Sequence, residues 1–243
     1  MAENTELCTR WEALPSVSDN LRSVLDNIAA SAARAGRDPS EVRLVAVTKN
    51  VDVARICSVV SAGADHLGEN RVQEAARKIP EVPGSPTWHL VGHLQRNKAR
   101  HAVGLFSVIH SLDSLGLAAE LDRRCAACGV FLDVLLQVNV SGESAKYGVA
   151  PEAATGVLRE MPAFEHLQVR GLMTMAPYSE DPEDARVWFG DLRRLARELS
   201  TLRLSNVDMD ELSMGMSGDY QVAVEEGSTI VRVGTAIFGE RAY

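Results

Sequence analysis

A lysine closes the first strongly apolar run of this sequence, and glycine-rich segments follow the last two. Val42-Arg43-Leu44-Val45-Ala46-Val47-Thr48-Lys49 is β-branched, of strand length, and ends in a charge. Alternation puts Val45, Val47 and Lys49 on one face and Leu44, Ala46 and Thr48 on the other. Both faces are largely apolar, which is the pattern of a strand covered on both sides, as in a parallel sheet. A lysine at the carboxyl end of such a strand loses hydration, and that disfavours its ammonium form. An amine of this kind forms Schiff bases with carbonyl compounds. The simpler alternative is a strand-end lysine that snorkels to water, and the segment alone leaves it standing.

The two late segments suggest an anion. Ser213-Met214-Gly215-Met216-Ser217-Gly218-Asp219 and Arg232-Val233-Gly234-Thr235-Ala236-Ile237-Phe238-Gly239 are small and rich in donors. Glycines let backbone N–H groups approach an anion closely, and Ser217 and Thr235 add hydroxyls. Either loop taken singly is equally well explained as a tight turn. Arg232 interrupts Thr229-Ile230-Val231-Arg232-Val233 and shares a face with Ile230 and Gly234. A cation inside such a run must reach a buried anion, a ligand atom or a structural ion pair, because an unpaired buried charge is costly.

Other predicted strand ends are polar as well: Gly68-Glu69-Asn70, then Asn139, Ser141, Lys146 and Tyr147, then Met173 and Met175. His89 and His93 fall on a strand and its loop with no convergent acidic partner, so hydrogen bonding is expected of them rather than metal ligation. Cys125-Ala-Ala-Cys128 lies near the end of a helical stretch closed by Gly129, with no second pair at metal spacing, and reads as structural.

The elements that must position these groups alternate. Ser18 reads as the N-cap of a first helix with Leu21, Val24, Leu25, Ile28 and Ala32 apolar, ending near Gly36. After the Lys49 strand, helices are predicted over 54–62, 72–79, 97–103, 114–128, 151–161, 182–199 and 221–226. Strands are predicted over 66–70, 87–92, 105–112, 131–140, 169–175, 211–214 and 229–233. The long helix places Val187, Trp188, Leu192, Leu195 and Leu199 on one side. Eight strands, each but the last followed by a helix, favour a parallel α/β architecture: a single (β/α)8 TIM barrel with an extra N-terminal helix. The 243 residues suit such a barrel, which runs to about 250. An open doubly wound sheet is the alternative, but no G-x-G-x-x-G follows the first strand. With no linker or repeat, one domain over 1–243 is expected, its first 15 residues a poorly ordered extension.

A composition of 46% hydrophobic and 24% charged residues is ordinary for a globular protein with a full core. The formal net charge of −8 argues against a nucleic-acid partner and gives no support for an anionic membrane surface. No run approaches bilayer length. Met1 to Pro15 carries Glu3, Glu6 and Glu12 without an apolar core, so no secretory signal is expected and the cytoplasm is the default.

Ala46-Val47-Thr48-Lys49, Gly68-Glu69-Asn70, His89-Leu90-Val91-Gly92-His93-Leu94-Gln95-x-Asn97-Lys98, Arg170 to Met175, Leu212 to Ser217 and Gly227 to Gly239 together resemble the pyridoxal phosphate homeostasis protein family. The similarity runs from the first strand to the C-terminus, and the extension through Pro15 has no clear counterpart. The resemblance implies a barrel like the N-terminal domain of alanine racemase, with pyridoxal 5′-phosphate held as a Schiff base. It implies that Lys49 carries the cofactor and that Ser217, Gly234 and Thr235 hold its phosphate. Arg232 then faces the pyridine nitrogen, with Asn70, Met173 and Met214 around the ring. It further implies a part in cofactor homeostasis without strong catalysis, with pyridoxal-phosphate-dependent apo-enzymes as possible recipients. The competing expectation is an amino-acid racemase, which also places arginine at this nitrogen but needs two bases, of which Lys49 is one. In racemases a second, β-rich domain supplies the other across a dimer. The chain stops at Tyr243, so neither that domain nor its dimer surface is expected, and a monomer is. Tyr147 or His93 would have to serve instead. A Schiff-base aldolase would fit Lys49 but leave Arg232 unexplained.

Overall fold

The structure, a computed structural model, describes residues 16–239. The extension through Pro15, with Cys8, lies outside the described residues. Eight parallel strands close into a barrel in sequence order: β1 (Arg43–Val47), β2 (His66–Glu69), β3 (Thr87–Leu90), β4 (Val108–Leu112), β5 (Leu132–Gln137), β6 (Leu167–Met173), β7 (Val207–Ser213) and β8 (Ile230–Val233). The ring closes where β8 pairs with β1, with Val45 opposite Arg232. Helices α1 (Val17–Arg34), α2 (Val53–Ser61), α3 (Val72–Lys78), α4 (Ala99–Ala102), α5 (Leu115–Cys128), α6 (Pro151–Glu160), α7 (Arg186–Ser200), α8 (Tyr220–Glu225) and α9 (Thr235–Phe238) surround it. The barrel and its extra N-terminal helix follow the expected alternation. The last strand, expected to lack a helix, is followed by the single turn of α9.

Alternation along the strands sorts side chains into two cores. Val45, Val47, Val91, Leu135, Met173 and Ile230 pack inside the barrel. Ala46, Leu67, Leu90, Ile109, Leu136 and Val231 face outward into the layer shared with the helices. The interior layer forms a floor beneath the carboxyl ends of the strands.

Helix α1 is capped by Ser16, not Ser18. The Ser16 hydroxyl accepts from the Asp19 N–H while the Asp19 carboxylate reaches back, a reciprocal box. Its buried stripe is Leu21, Val24, Ile28 and Ala32, whereas Leu25 is 47% exposed. Burying three such aliphatic side chains contributes about 1.5–3 kcal/mol each. Polar contacts set where α1 docks: the Asn20 amide donates to the Ile237 carbonyl of α9, and the Asn27 amide to the Tyr220 hydroxyl of α8. The extra helix therefore braces the two short helices that follow the glycine-rich loops.

Two further expectations shift. The long helix over 182–199 is a 3-10 turn (Pro182–Ala185) followed by α7, and its buried stripe is Phe189, Leu192, Ala196 and Leu199. Val187 is 56% exposed. Strand β7 begins at Val207, four residues before the predicted start, and only its last two residues are buried.

Candidate functional site

Residues at the carboxyl ends of β1, β2, β3, β6, β7 and β8 line one cavity of about 220 Å³. Lys49, Asn70, Ser217, Arg232, Gly234 and Thr235 all line it. The first predicted strand and the last two loops thus converge on one space. Val47, Val91, Met175 and Met216 supply the apolar part of the wall. Met173 and Met214, also named from the sequence, are fully buried away from it. Met173 lies in the interior layer beneath, and Met214 in the outer core.

Lys49 is half-buried and stands two residues past β1, in a turn rather than within the strand. Both of its neighbours are fixed by one buried ionic cluster. The Thr48 hydroxyl donates to Glu69 Oε1 at 2.6 Å, and Lys78 Nζ donates to the Thr48 carbonyl at 2.7 Å. Lys78 also pairs with Glu69 at 2.8 Å and with Glu74 at 2.6 Å. Glu74 in turn accepts from the Asn50 N–H at 2.7 Å. Asn50 takes a left-handed φ of 58°, which asparagine tolerates better than most residues. Burial pushes the Glu69 carboxyl up, opposed by its bonds to Lys78 and Thr48. In the sequence Glu69 is legible only as a strand end, and nothing there marks Lys78 or Glu74 as its partners.

Arg232 is buried, and burial pulls its guanidinium down to about 10, so it stays cationic at neutral pH. Nη1 donates to Ser213 Oγ at 2.5 Å and Nη2 to the Thr174 carbonyl at 2.9 Å. Among the described residues it forms no ion pair; the counter-charge acting on it is that of Asp219. A guanidinium with five donors and two protein acceptors keeps donor capacity for a ligand.

The loop after β7 is shaped by Gly215 and Asp219. Gly215 has φ +92°, and a Cβ there would lie 2.5 Å from that of Ala223. Its carbonyl accepts from the Arg232 N–H, tying the two loops together. The Asp219 carboxylate accepts from the Met216 N–H at 2.6 Å, and burial raises its pKa. Ser217 Oγ then accepts from the N–H groups of Gly234 and Ala236, at 3.2 and 3.3 Å. Backbone donors of the last loop are therefore aimed at the place where Ser217 stands, which suits an anion. On the opposite wall Gly92 lets Asn70 approach: a Cβ there would meet the Asn70 carbonyl at 2.4 Å.

His93 and Tyr147 stack at 3.8 Å between ring centroids and line an adjoining groove, not this cavity. His89 points into the barrel, where His66 and His110 occupy its two nitrogens. Cys125 is buried, which pushes its thiol up to about 11.

The family described as "Alanine racemase, N-terminal domain" matches residues 20–242. The pyridoxal phosphate homeostasis protein of Aquifex aeolicus (strain VF5) is 42% identical over 226 residues, covering 93% of this chain and 98% of that protein. The chain belongs to the pyridoxal phosphate homeostasis protein family. The member from Pseudomonas aeruginosa is 38% identical over 231 residues, covering 95% of this chain and 98% of its own length. The solved structure of PipY, the family member of Synechococcus elongatus PCC7942 with pyridoxal phosphate bound, superposes with a TM-score of 0.80. It is 38% identical and covers 92% of this chain and 100% of that one. Among the described residues of this family member, no helix is long and apolar enough to cross a membrane.

Proposed function

We propose that this chain binds pyridoxal 5′-phosphate in the cavity at the carboxyl end of the barrel, as a Schiff base on Lys49, and serves in the homeostasis of that cofactor rather than in turnover. The observation that carries the reading is a single cavity lined by an amine, a buried arginine and an anion-directed loop. Each part of the cofactor has a matching group. The Lys49 amine suits its aldehyde, Arg232 its ring nitrogen, and Ser217 with Gly234, Thr235 and the nearby backbone N–H groups its phosphate. Asn70 flanks the ring, and Met173 and Met214 act from behind as packing. The relatives' names and the ligand of PipY point the same way.

When bound, the cofactor supplies an electron sink for chemistry at the α-carbon of amino acids. Arg232 weakens that sink. It cannot surrender its proton, so it donates to the ring nitrogen and leaves that nitrogen unprotonated, where an aspartate would favour the pyridinium. Racemisation would in addition need a base on each face. Among the described residues lining the cavity Lys49 is the one basic amine, and Tyr147 and His93 stand in the adjoining groove. Delivery of the cofactor to apo-enzymes is the natural outlet for such a carrier.

Two assays test this reading. Loaded protein mixed with a pyridoxal-phosphate-dependent apo-enzyme should restore its activity, with a trap for free cofactor reporting how much transfer is direct. In deuterated water L-alanine should exchange its α-proton slowly; rapid exchange with loss of optical activity would establish a racemase instead.

A further inference from the structure

A line of histidines crosses the barrel interior and ends on Arg232. His66 opens β2 and is half-buried; His89 lies in β3 and His110 in β4, both fully buried. His66 Nδ1 is 2.9 Å from His89 Nε2, and His89 Nδ1 is 2.8 Å from His110 Nε2. His110 Nδ1 is 2.8 Å from Ser213 Oγ, the atom that accepts from Arg232 Nη1. The line climbs from the amino-terminal rim of the barrel, at the start of β2, to the cavity at the other end.

Its direction follows from the one member that cannot reverse. A guanidinium only donates, so Ser213 Oγ is an acceptor at that contact. The serine's own proton needs another acceptor, and among the described residues His110 Nδ1 is the one within reach. His110 must then carry its proton on Nε2 and donate to His89 Nδ1. By the same step His89 donates from Nε2 to His66 Nδ1. All three rings are neutral and hold the same Nε2–H tautomer. Burial keeps His89 at about 3 and His110 well below the usual histidine range, so neither charges near neutral pH. At the rim, Asp65 and Glu211 favour a charged His66, but burial and Arg43 outweigh them and lower it too.

Four neutral groups thus stand head to tail with their lone pairs turned towards a buried cation. Such a chain polarises along its length and steadies a charge without cancelling it. A carboxylate at Ser213's place would neutralise Arg232 and remove the positive end that a ligand nitrogen meets.

We propose that Ser213, His110, His89 and His66 are positioning residues for Arg232, a chain of aligned dipoles that fixes the guanidinium and preserves its charge for the ring nitrogen of the ligand. This rests on the cofactor reading above for the ligand, but the chain itself can be measured without it. In cofactor-free protein labelled with 15N-histidine, His89 and His110 should each show a bare Nδ1 and a protonated Nε2, unchanged from pH 6 to 8, and His66 the same tautomer at pH 8. A protonated Nδ1 on any of them at pH 8 overturns the proposal, whatever the fate of the cofactor reading. His110→Leu, which strips Ser213 of its acceptor, should speed release of pyridoxal phosphate by roughly tenfold. His110→Asn, which returns an acceptor oxygen near Nδ1, should recover most of that loss. A folded His110→Leu protein that releases the cofactor at the wild-type rate overturns the positioning role. Should both variants fail to fold, the tautomers of the wild-type protein decide.

Discussion

The ammonium of Lys78 lies 2.7 Å from the carbonyl oxygen of Thr48, the residue directly before Lys49. Through Glu74 the same ammonium is linked to the N–H of Asn50, directly after it. A flexible amine is thereby mounted on a turn held at both ends by a buried ion cluster, with Glu69 fully buried at its centre. Pre-organisation of this kind lowers the cost of placing a nucleophile at a fixed spot.

Replacing Lys78 by Met should leave Glu69 with a buried, unpaired carboxylate. Removing one partner of a buried pair costs about 3–5 kcal/mol. Urea unfolding at pH 7 measures it, and Lys78→Met combined with Glu69→Gln should recover much of the loss. A single variant within about 1 kcal/mol of wild type, inside the range of an exposed pair, would remove the cluster's structural role.

Buried neutral histidines make the fold acid-sensitive in a defined window. His89 and His110 bind fewer protons folded than unfolded, so stability falls as pH drops below their ordinary value of 6.5, continuing towards about 3 for His89. Two such groups contribute a slope of about 2.7 kcal/mol per pH unit inside the window, on top of any carboxylate effect. Urea midpoints between pH 6 and 5 test this. The His110→Asn protein should show a slope shallower by about one proton; an unchanged slope would mean that His110 is not held neutral.

Ser217 should matter more for the phosphate than for the ring. Ser217→Ala removes the oxygen that gathers the N–H groups of Gly234 and Ala236. Affinity for pyridoxal 5′-phosphate should drop roughly tenfold, the worth of a hydrogen bond to a charged group, while affinity for unphosphorylated pyridoxal stays within about twofold. Equal losses for the two compounds would place the phosphate elsewhere.

Arg232→Ala should weaken retention of the cofactor at least as much, because it removes a buried donor cation facing the cavity. Equilibrium dialysis reads the change. Unchanged affinity would take the ring nitrogen away from Arg232.

What the sequence made legible were features carried by a single segment. The β-branched run before Lys49 and the two glycine-rich loops declare themselves locally, and strand-helix alternation then brings them together. What it hid depends on pairs. Lys78 on α3 looks like an ordinary solvated charge until Glu69, nine residues back on a strand, is placed beneath it. His66, His89 and His110 each look isolated, yet they recur 23 and 21 residues apart, once per strand-helix unit, and that period was the available signal. In α7 three successive apolar residues, Val187 to Phe189, fit several helical faces, and packing chose the one through Phe189. The start of β7 reads Val-Asp-Met-Asp and is barely buried, so no apolar pattern marks it.

The central claim is a covalent hold at residue 49, and borohydride reduction followed by peptide mapping tests it most directly. Protein loaded with pyridoxal 5′-phosphate and reduced should carry one pyridoxyl-phosphate group, on the peptide containing Lys49, and Lys49→Ala should carry none. A label on any other lysine, or a Lys49→Ala protein labelled as fully as wild type, would contradict it.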